Sequence, residues 1–243
     1  MRKMAVALLL ALLPGLALGA GGGQKLMDAH VDVTDTASLQ RGAKYFANYC
    51  MGCHSLKYLR YNRMAEDLAI PENVLEQYLL WDGSKPHEPM HTAMRGADAT
   101  EWFGAAPPDL SLTARRRGAD WVFTYLNTFY RDDDTATGVN NLVLPGASMP
   151  HVLWRLQGVP EPVYGEAANG ERHVTGVKVA DGAGALSEEE YHRVTRDITN
   201  FLAYAAEPIR AYRERLGVWV LLFIALFTGL AYMLKREFWK DVH

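Results

Sequence analysis

The chain has 243 residues, with 25 Lys and Arg against 28 Asp and Glu and a formal net charge of −3. That length supports one sizeable hydrophobic core rather than several, and the slightly acidic balance gives no basic surface for nucleic acid. With two cysteines in all, no disulfide framework competes for the thiols.

Met1 to Ala20 reads as a secretory signal. Arg2 and Lys3 supply the charged start, Ala5 to Leu13 the apolar run, and Ala17-Leu18-Gly19-Ala20 the small residues for cleavage. The apolar run is short for a membrane span. The chain that follows, 21–207, is therefore expected to be one exported domain, outside the cytoplasm.

Ser38 to Asn48 reads as a helix, with Leu39, Ala43 and Phe46 at helical spacing. It delivers Cys50-Met51-Gly52-Cys53-His54, the C-x-x-C-H pattern of covalent haem attachment. Two thiols at this spacing add across the haem vinyl groups as thioethers, and the adjacent histidine reaches the iron. The pattern predicts one covalently bound haem c and, with it, electron transfer. A thioredoxin-like pair shares the C-x-x-C spacing but wants a preceding strand, and none is evident. A structural zinc site wants four ligands, so two histidines would have to complete the cysteine pair.

Leu56 to Leu68 continues with leucines and aromatics. Pro71-Glu72-Asn73 opens a second helix through Tyr78 and Leu80, ending at Asp82-Gly83, and Lys85 to Thr100 reads as an irregular loop. In Ala105-Ala106-Pro107-Pro108-Asp109-Leu110-Ser111 the prolines fix an extended path. Pro107 or Pro108 can turn a carbonyl toward the ring N–H of the ligating histidine and so fix its tautomer. Arg115, Arg116 and Arg117 follow, as candidate partners of a haem propionate or as a solvated basic turn. A helix from Asp120 carries Trp121, Phe123, Tyr125, Leu126 and Phe129, an aromatic surface suited to a porphyrin or to plain core.

Asp132, Asp133 and Asp134 form an acidic run before the segment from Leu142 to His151. A low-spin electron-transfer haem needs a sixth ligand, and a thioether raises its potential relative to a second imidazole. Met149, bracketed by Pro145 and Pro150, is a candidate, in competition with His151, Met90, Met94, His87 and His91. Val163 to Ala167 and Arg172 to Val179 flank Asn169-Gly170, a hairpin signal. Ser187 and Glu190 form a capping box for a helix with apolar positions Tyr191, Val194, Ile198, Phe201 and Ala205, and Pro208 breaks it.

Leu216 to Leu234 carries no charge and is long enough to cross a bilayer as a helix. With the exported domain on one side, the juxtamembrane segment 208–215 precedes this span and the tail 235–243 lies in the cytoplasm. The expected fold class is mainly α: a c-type cytochrome haem domain with a small β-hairpin excursion and one C-terminal transmembrane helix.

Taken in order, CMGCH, APPDLS with its following arginines, PGASMP, and Ala205-Ala206-Glu207-Pro208 leading into one terminal span resemble cytochrome c1 of bacterial type, the haem subunit of the quinol–cytochrome c reductase (bc1) complex. The match covers most of the mature chain. The resemblance implies thioether attachment at Cys50 and Cys53 and axial ligation of the iron by His54 and Met149. It makes Arg117, then Arg115, the propionate partner; of the two prolines, Pro108 is the one expected among the haem-binding residues. It further implies that electrons pass from the Rieske iron–sulfur protein through this haem to a soluble or membrane-attached cytochrome c. Cytochrome b is the membrane neighbour and the complex is a dimer. The location is the bacterial inner membrane, with the haem domain periplasmic. The chain would be an electron relay with no bond-making catalytic residues of its own. The alternative is a free-standing membrane-anchored c-type cytochrome serving an oxidase or reductase.

Two departures stand out. Asn140-Asn141-Leu142-Val143-Leu144 replaces the family's longer aromatic-rich stretch before the methionine, and Pro150-His151 follows it, which leaves open how the loop is braced. Asp132 to Asp134 and Glu188 to Glu190 are candidate steering charges for a basic cytochrome c, or solvated surface.

Overall fold

The computed structural model describes residues 25–80, 83–166 and 172–240. The expected signal segment 1–20 and the Asn169-Gly170 turn lie outside them. The fold is mainly α, with three two-stranded antiparallel sheets among the described residues.

Three helices make the core. Helix α1 (Thr36–Tyr45) starts where the Asp35 side chain accepts from Ser38 N–H, and it runs into a π-helical turn, Phe46–Cys50. Helix α8 (Glu188–Ala206) starts at the expected capping box: Ser187 Oγ accepts from Glu190 N–H and the Glu190 carboxylate accepts from Ser187 N–H. These two reciprocal bonds satisfy donors that a helix start leaves free. Helix α6 (Ala119–Asn127) is the third. Helices α1 and α8 cross at Gly42, where a Cβ would run into the Asp197 carbonyl oxygen and Phe201 Cβ. Only glycine permits that approach. Below the crossing, Phe46 and Phe201 meet at 5.6 Å between ring centroids. Helix α6 is tied to α8 by Tyr191 Oη donating to Leu126 O at 2.7 Å and Asn127 Nδ2 donating to Thr195 Oγ1 at 3.0 Å.

Shorter elements wrap this core: β1 (Leu56–Arg60), α2 (Tyr61–Asp67), α3 (Glu72–Tyr78), β2 (Pro89–Met90), α4 (Gly96–Phe103) and α5 (Thr113–Arg117). The expected irregular loop from Lys85 to Thr100 thus contains a strand and most of a helix. Helix α4 buries only Ala99, so its apolar periodicity is faint; it is held instead by the Arg95–Asp98 pair at 2.7 Å and stops at Gly104, whose φ is +75°. Phe129, expected on the α6 helix, begins strand β3 (Phe129–Arg131), paired with β4 (Val139–Asn141). After the short α7 (Trp154–Gln157) comes the predicted hairpin. Its strands β5 (Glu161–Glu166) and β6 (Arg172–Lys178) pair from Glu161↔Lys178 to Glu166↔Arg172.

Helix α8 ends at Ala206 and a new helix, α9 (Arg210–Phe238), begins beyond Pro208. Its 29 residues give about 43 Å at the helical rise. None of them is buried, and the helix is long and apolar enough to cross a membrane. It outruns the uncharged stretch 216–234 at both ends. Its first turns bear Arg210, Arg213 and Arg215, and its last turn bears Lys235 and Arg236.

Candidate haem site

The π-helical turn ends at Cys50 and presents the motif. Met51 N–H reaches back to Phe46 O at 2.9 Å, and Cys53 and His54 N–H both reach Cys50 O, at 3.0 and 2.8 Å. Such widened turns concentrate at functional positions because they re-aim side chains within a helix. Here Cys50, Cys53 and His54 all face one cavity.

The double-proline segment closes one wall. Lys57 N–H donates to Asp109 Oδ2 at 2.9 Å, Tyr58 N–H to Ser111 Oγ at 3.2 Å and Leu110 N–H to Ser55 O at 2.9 Å, so the segment lies along the start of β1. This places the Pro108 carbonyl 2.8 Å from His54 Nδ1. A carbonyl only accepts, so Nδ1 carries the proton and Nε2 is left with a free lone pair. Burial, the main cause, holds His54 below its usual pKa and keeps the ring neutral, the form that ligates a metal.

The cavity measures about 390 Å³, within the range of cofactor pockets. Its walls are mostly apolar. Helix α6 contributes Trp121, Val122, Tyr125 and Leu126, and the loop after β4 contributes Leu144 to Pro150, with Met149 among them. None of the competing ligand candidates (His151, Met90, Met94, His87 and His91) lines it. Met90 is buried in the core opposite Leu56, His87 and His91 are exposed, and the His151 ring lies buried against Phe129. Burial keeps that ring neutral by holding its pKa down to about 4.

The three arginines separate. Arg116 and Arg117 line the cavity, and the Arg117 guanidinium lies 4.8 Å over the Trp121 ring. Arg115 does not line it; it reaches Glu207 at 4.0 Å, at the foot of α9. Phe123, read as part of the aromatic surface, faces the other way and meets the His192 ring at 5.8 Å. Tyr49, which no motif marked, is a further wall residue. Only its place one residue before Cys50 could have drawn attention to it.

The donor set fits a haem attached through sulfur better than the other C-x-x-C chemistries. Burial pushes the Cys50 thiol up to about 12, and Cys53 also rises. Both therefore resist forming the thiolate that a redox-active pair needs. Among the described residues, no three His, Cys, Asp or Glu side chains gather as a metal site. A mostly apolar cavity with an oriented neutral imidazole and a thioether in its walls suits a porphyrin, and the fold around it is a c-type cytochrome haem domain.

Residues 27–242 match the model of the Cytochrome C1 family, and the chain belongs to that family. It is 52% identical, over 245 residues covering all of both chains, to cytochrome c1 of Allochromatium vinosum. It is 31% identical over 241 residues to cytochrome c1 of Blastochloris viridis, covering 86% of this chain and 82% of the other. A Nitrosomonas europaea protein named ammonia monooxygenase gamma subunit is 44% identical over 245 residues, covering 99% of this chain and 100% of that one.

Proposed function

We propose that this chain holds one haem c, joined through thioethers to Cys50 and Cys53 and ligated by His54 Nε2 and Met149 Sδ. The chain is the electron-transfer haem subunit of a bc1 complex. The proposal extends to its donor, the Rieske iron–sulfur protein, its acceptor, a soluble or membrane-attached cytochrome c, and its membrane neighbour, cytochrome b, in a dimeric assembly. When bound, the haem supplies a one-electron ferric/ferrous couple.

The protein's part is to position and tune. The Pro108 carbonyl fixes the His54 tautomer and makes the imidazole a stronger donor. Arg117, held against Trp121, offers a fixed fork to a propionate. Arg115 is less suited to that task because it faces Glu207. The apolar walls keep water from the iron and limit reorganisation when the charge changes. No residue makes or breaks a covalent bond in turnover.

The arrangement of the chain follows. Residues 1–20 direct export, 21–207 form the haem domain on the periplasmic side of the inner membrane, and 208–215 lead into the span. The span 216–234 anchors it, and 235–243 end in the cytoplasm. The single supporting observation is that His54, oriented by Pro108, and Met149 both line one apolar cavity. Redox titration of Met149→Leu and Met149→His tests it. Both substitutions shift the midpoint potential, Met149→His downward, because a second imidazole stabilises the ferric form. An unchanged potential in both places the sixth ligand elsewhere.

A further inference from the structure

Met149 sits in a stretch, 142–150, with neither helix nor strand. A methionine side chain is flexible, and its thioether is a weak ligand, so something outside the loop must hold it. Pro145 and Pro150 stiffen the local backbone but do not tie it to the body of the domain.

Two anchors do. At the entrance, Asn140 Oδ1 accepts from Gly146 N–H at 2.8 Å while Asn140 Nδ2 donates to Asp132 Oδ2 at 2.8 Å. Asn141 Oδ1 accepts from Val143 N–H at 3.0 Å and its Nδ2 donates to Tyr125 O at 2.8 Å. At the exit, His151 is buried and its ring lies nearly parallel to Phe129, 14° between planes and 5.1 Å between centroids. Phe129 meets Tyr125 edge-on at 5.0 Å, Tyr125 stacks on Trp121 at 5.1 Å and 9°, and Arg117 covers Trp121 at 4.8 Å. Trp121 and Tyr125 share one face of α6; Arg117, the last residue of α5 across Gly118, and Phe129, the first residue of β3, extend the column at either end.

We propose that this column of rings is a splint for the sixth ligand, in which His151 and Phe129 are positioning residues that fix the exit of the loop and so hold the Met149 thioether toward the cavity. Its near end, Arg117 to Tyr125, is wall of the same cavity, so the loop is keyed to the surface the porphyrin packs against. His151 takes no part as a ligand: it does not line the cavity, and its ring is committed to Phe129. Its contribution to the column is its ring, stacked on Phe129 two residues after the methionine.

The inference rests on Met149 being the sixth ligand, and the test separates the two. The haem-loaded full-length protein in detergent is titrated with imidazole, which competes with the thioether for ferric iron, while the red thioether-to-iron absorption band is followed. His151→Leu and Phe129→Leu are expected to bind imidazole roughly two- to tenfold more tightly than the parent and to lose part of the band. His151→Phe keeps a ring against Phe129 and stays at parental values. Should His151→Leu fail to fold, Phe129→Leu, which keeps an apolar side chain at that position, carries the same readout.

Parental imidazole affinity in whichever of the two leucine variants folds overturns the splint. So does a His151→Phe that binds imidazole as tightly as His151→Leu, because the imidazole rather than the ring would then matter. Met149→Leu is the reference: if it alters neither band nor affinity, the ligand assignment itself is wrong and the splint falls with it. If Met149→Leu abolishes the band while the column variants stay parental, only the splint is wrong.

Discussion

His54 Nδ1 donates to the carbonyl oxygen of Pro108, 2.8 Å away across 54 residues of sequence. Neither residue could set this geometry alone: the π-helical turn aims the ring, and three hydrogen bonds along β1 seat the prolines beside it.

Loosening that carbonyl should be visible in the redox potential. Pro108→Gly removes the fixed φ and lets the carbonyl swing away from the ring. If His54 ligates the haem iron as proposed, a less strongly donating imidazole would stabilise the ferric form less and the midpoint potential would rise. The expected size is on the order of tens of millivolts, since losing such a partner costs about tenfold in metal interaction and tenfold is about 59 mV for one electron. Redox titration with unchanged potential would mean that the bond does not tune the ligand.

Gly42→Ala should weaken the fold without touching the site. The new methyl meets the Asp197 carbonyl oxygen and Phe201 Cβ, both on the long helix α8, which cannot easily retreat. Overpacking of this kind costs about 1–3 kcal/mol. A urea unfolding curve superimposed on the parent's would show that the two helices can separate freely.

Asp197 is buried on α8 and accepts from Ser38 Oγ at 2.7 Å and from Arg41 Nε and Nη2 at 2.6 and 2.9 Å. Arg41 is half exposed, so on loss of its partner it turns to water, whereas Ser38 and Asn200 stay inside. Asp197→Ala should therefore cost about 1.5–3 kcal/mol, the range for hydrogen bonds to a charged group. Asp197→Asn, which keeps an acceptor for Ser38, should recover part of it. Chemical denaturation of the two variants side by side checks the order.

Stability should fall on mild acidification through His192. Burial, the largest influence, holds its imidazole below the usual 6.5; Glu188 opposes that and Arg196 adds to it. Phe123 covers one side of the ring. The unfolded chain therefore takes up the proton first as pH drops through about 6.5, and stability is lost between there and the lower folded value. His192→Gln should flatten the dependence of the denaturation midpoint between about pH 7.5 and about pH 5.5. Parallel curves for variant and parent would assign the effect to other groups.

The acidic run divides into two roles. Asp132 is internal to the loop anchor, bonding Asn140 Nδ2 at 2.8 Å and Asp134 N–H at 3.2 Å. Docking should therefore be tested with Asp133→Asn and Asp134→Asn together, leaving Asp132 intact. If these charges steer a basic cytochrome c, the association rate at low salt falls and its salt dependence flattens. A rate unaffected at low salt identifies them as solvated surface.

Elements with a strong local signature were legible in the sequence. The capping box at Ser187, the hairpin strands around Asn169-Gly170 and the uncharged terminal stretch each carry their instruction within a few residues, and the structure has α8, β5–β6 and α9 there. Helix α4 was not legible because it buries a single alanine. Phe129 was misplaced for a similar reason: its i,i+4 spacing continues the helical face, while the backbone leaves the helix at Asn127 to pair with β4.

The site divides along the same line. Cys50, Cys53 and His54 lie within five consecutive residues, so the proposed attachment motif is legible in the sequence itself. Residue spacing alone leaves Met149 beside His151 and Pro108 beside Pro107; that Met149 lines the cavity while His151 does not, that the Pro108 carbonyl meets His54, and that Arg115 turns to Glu207 depend on contacts between segments far apart in sequence. Adjacent residues in a loop or short helix point to different sides. Only the packing of α6, β1 and the 142–150 loop around one volume decides which of them meet.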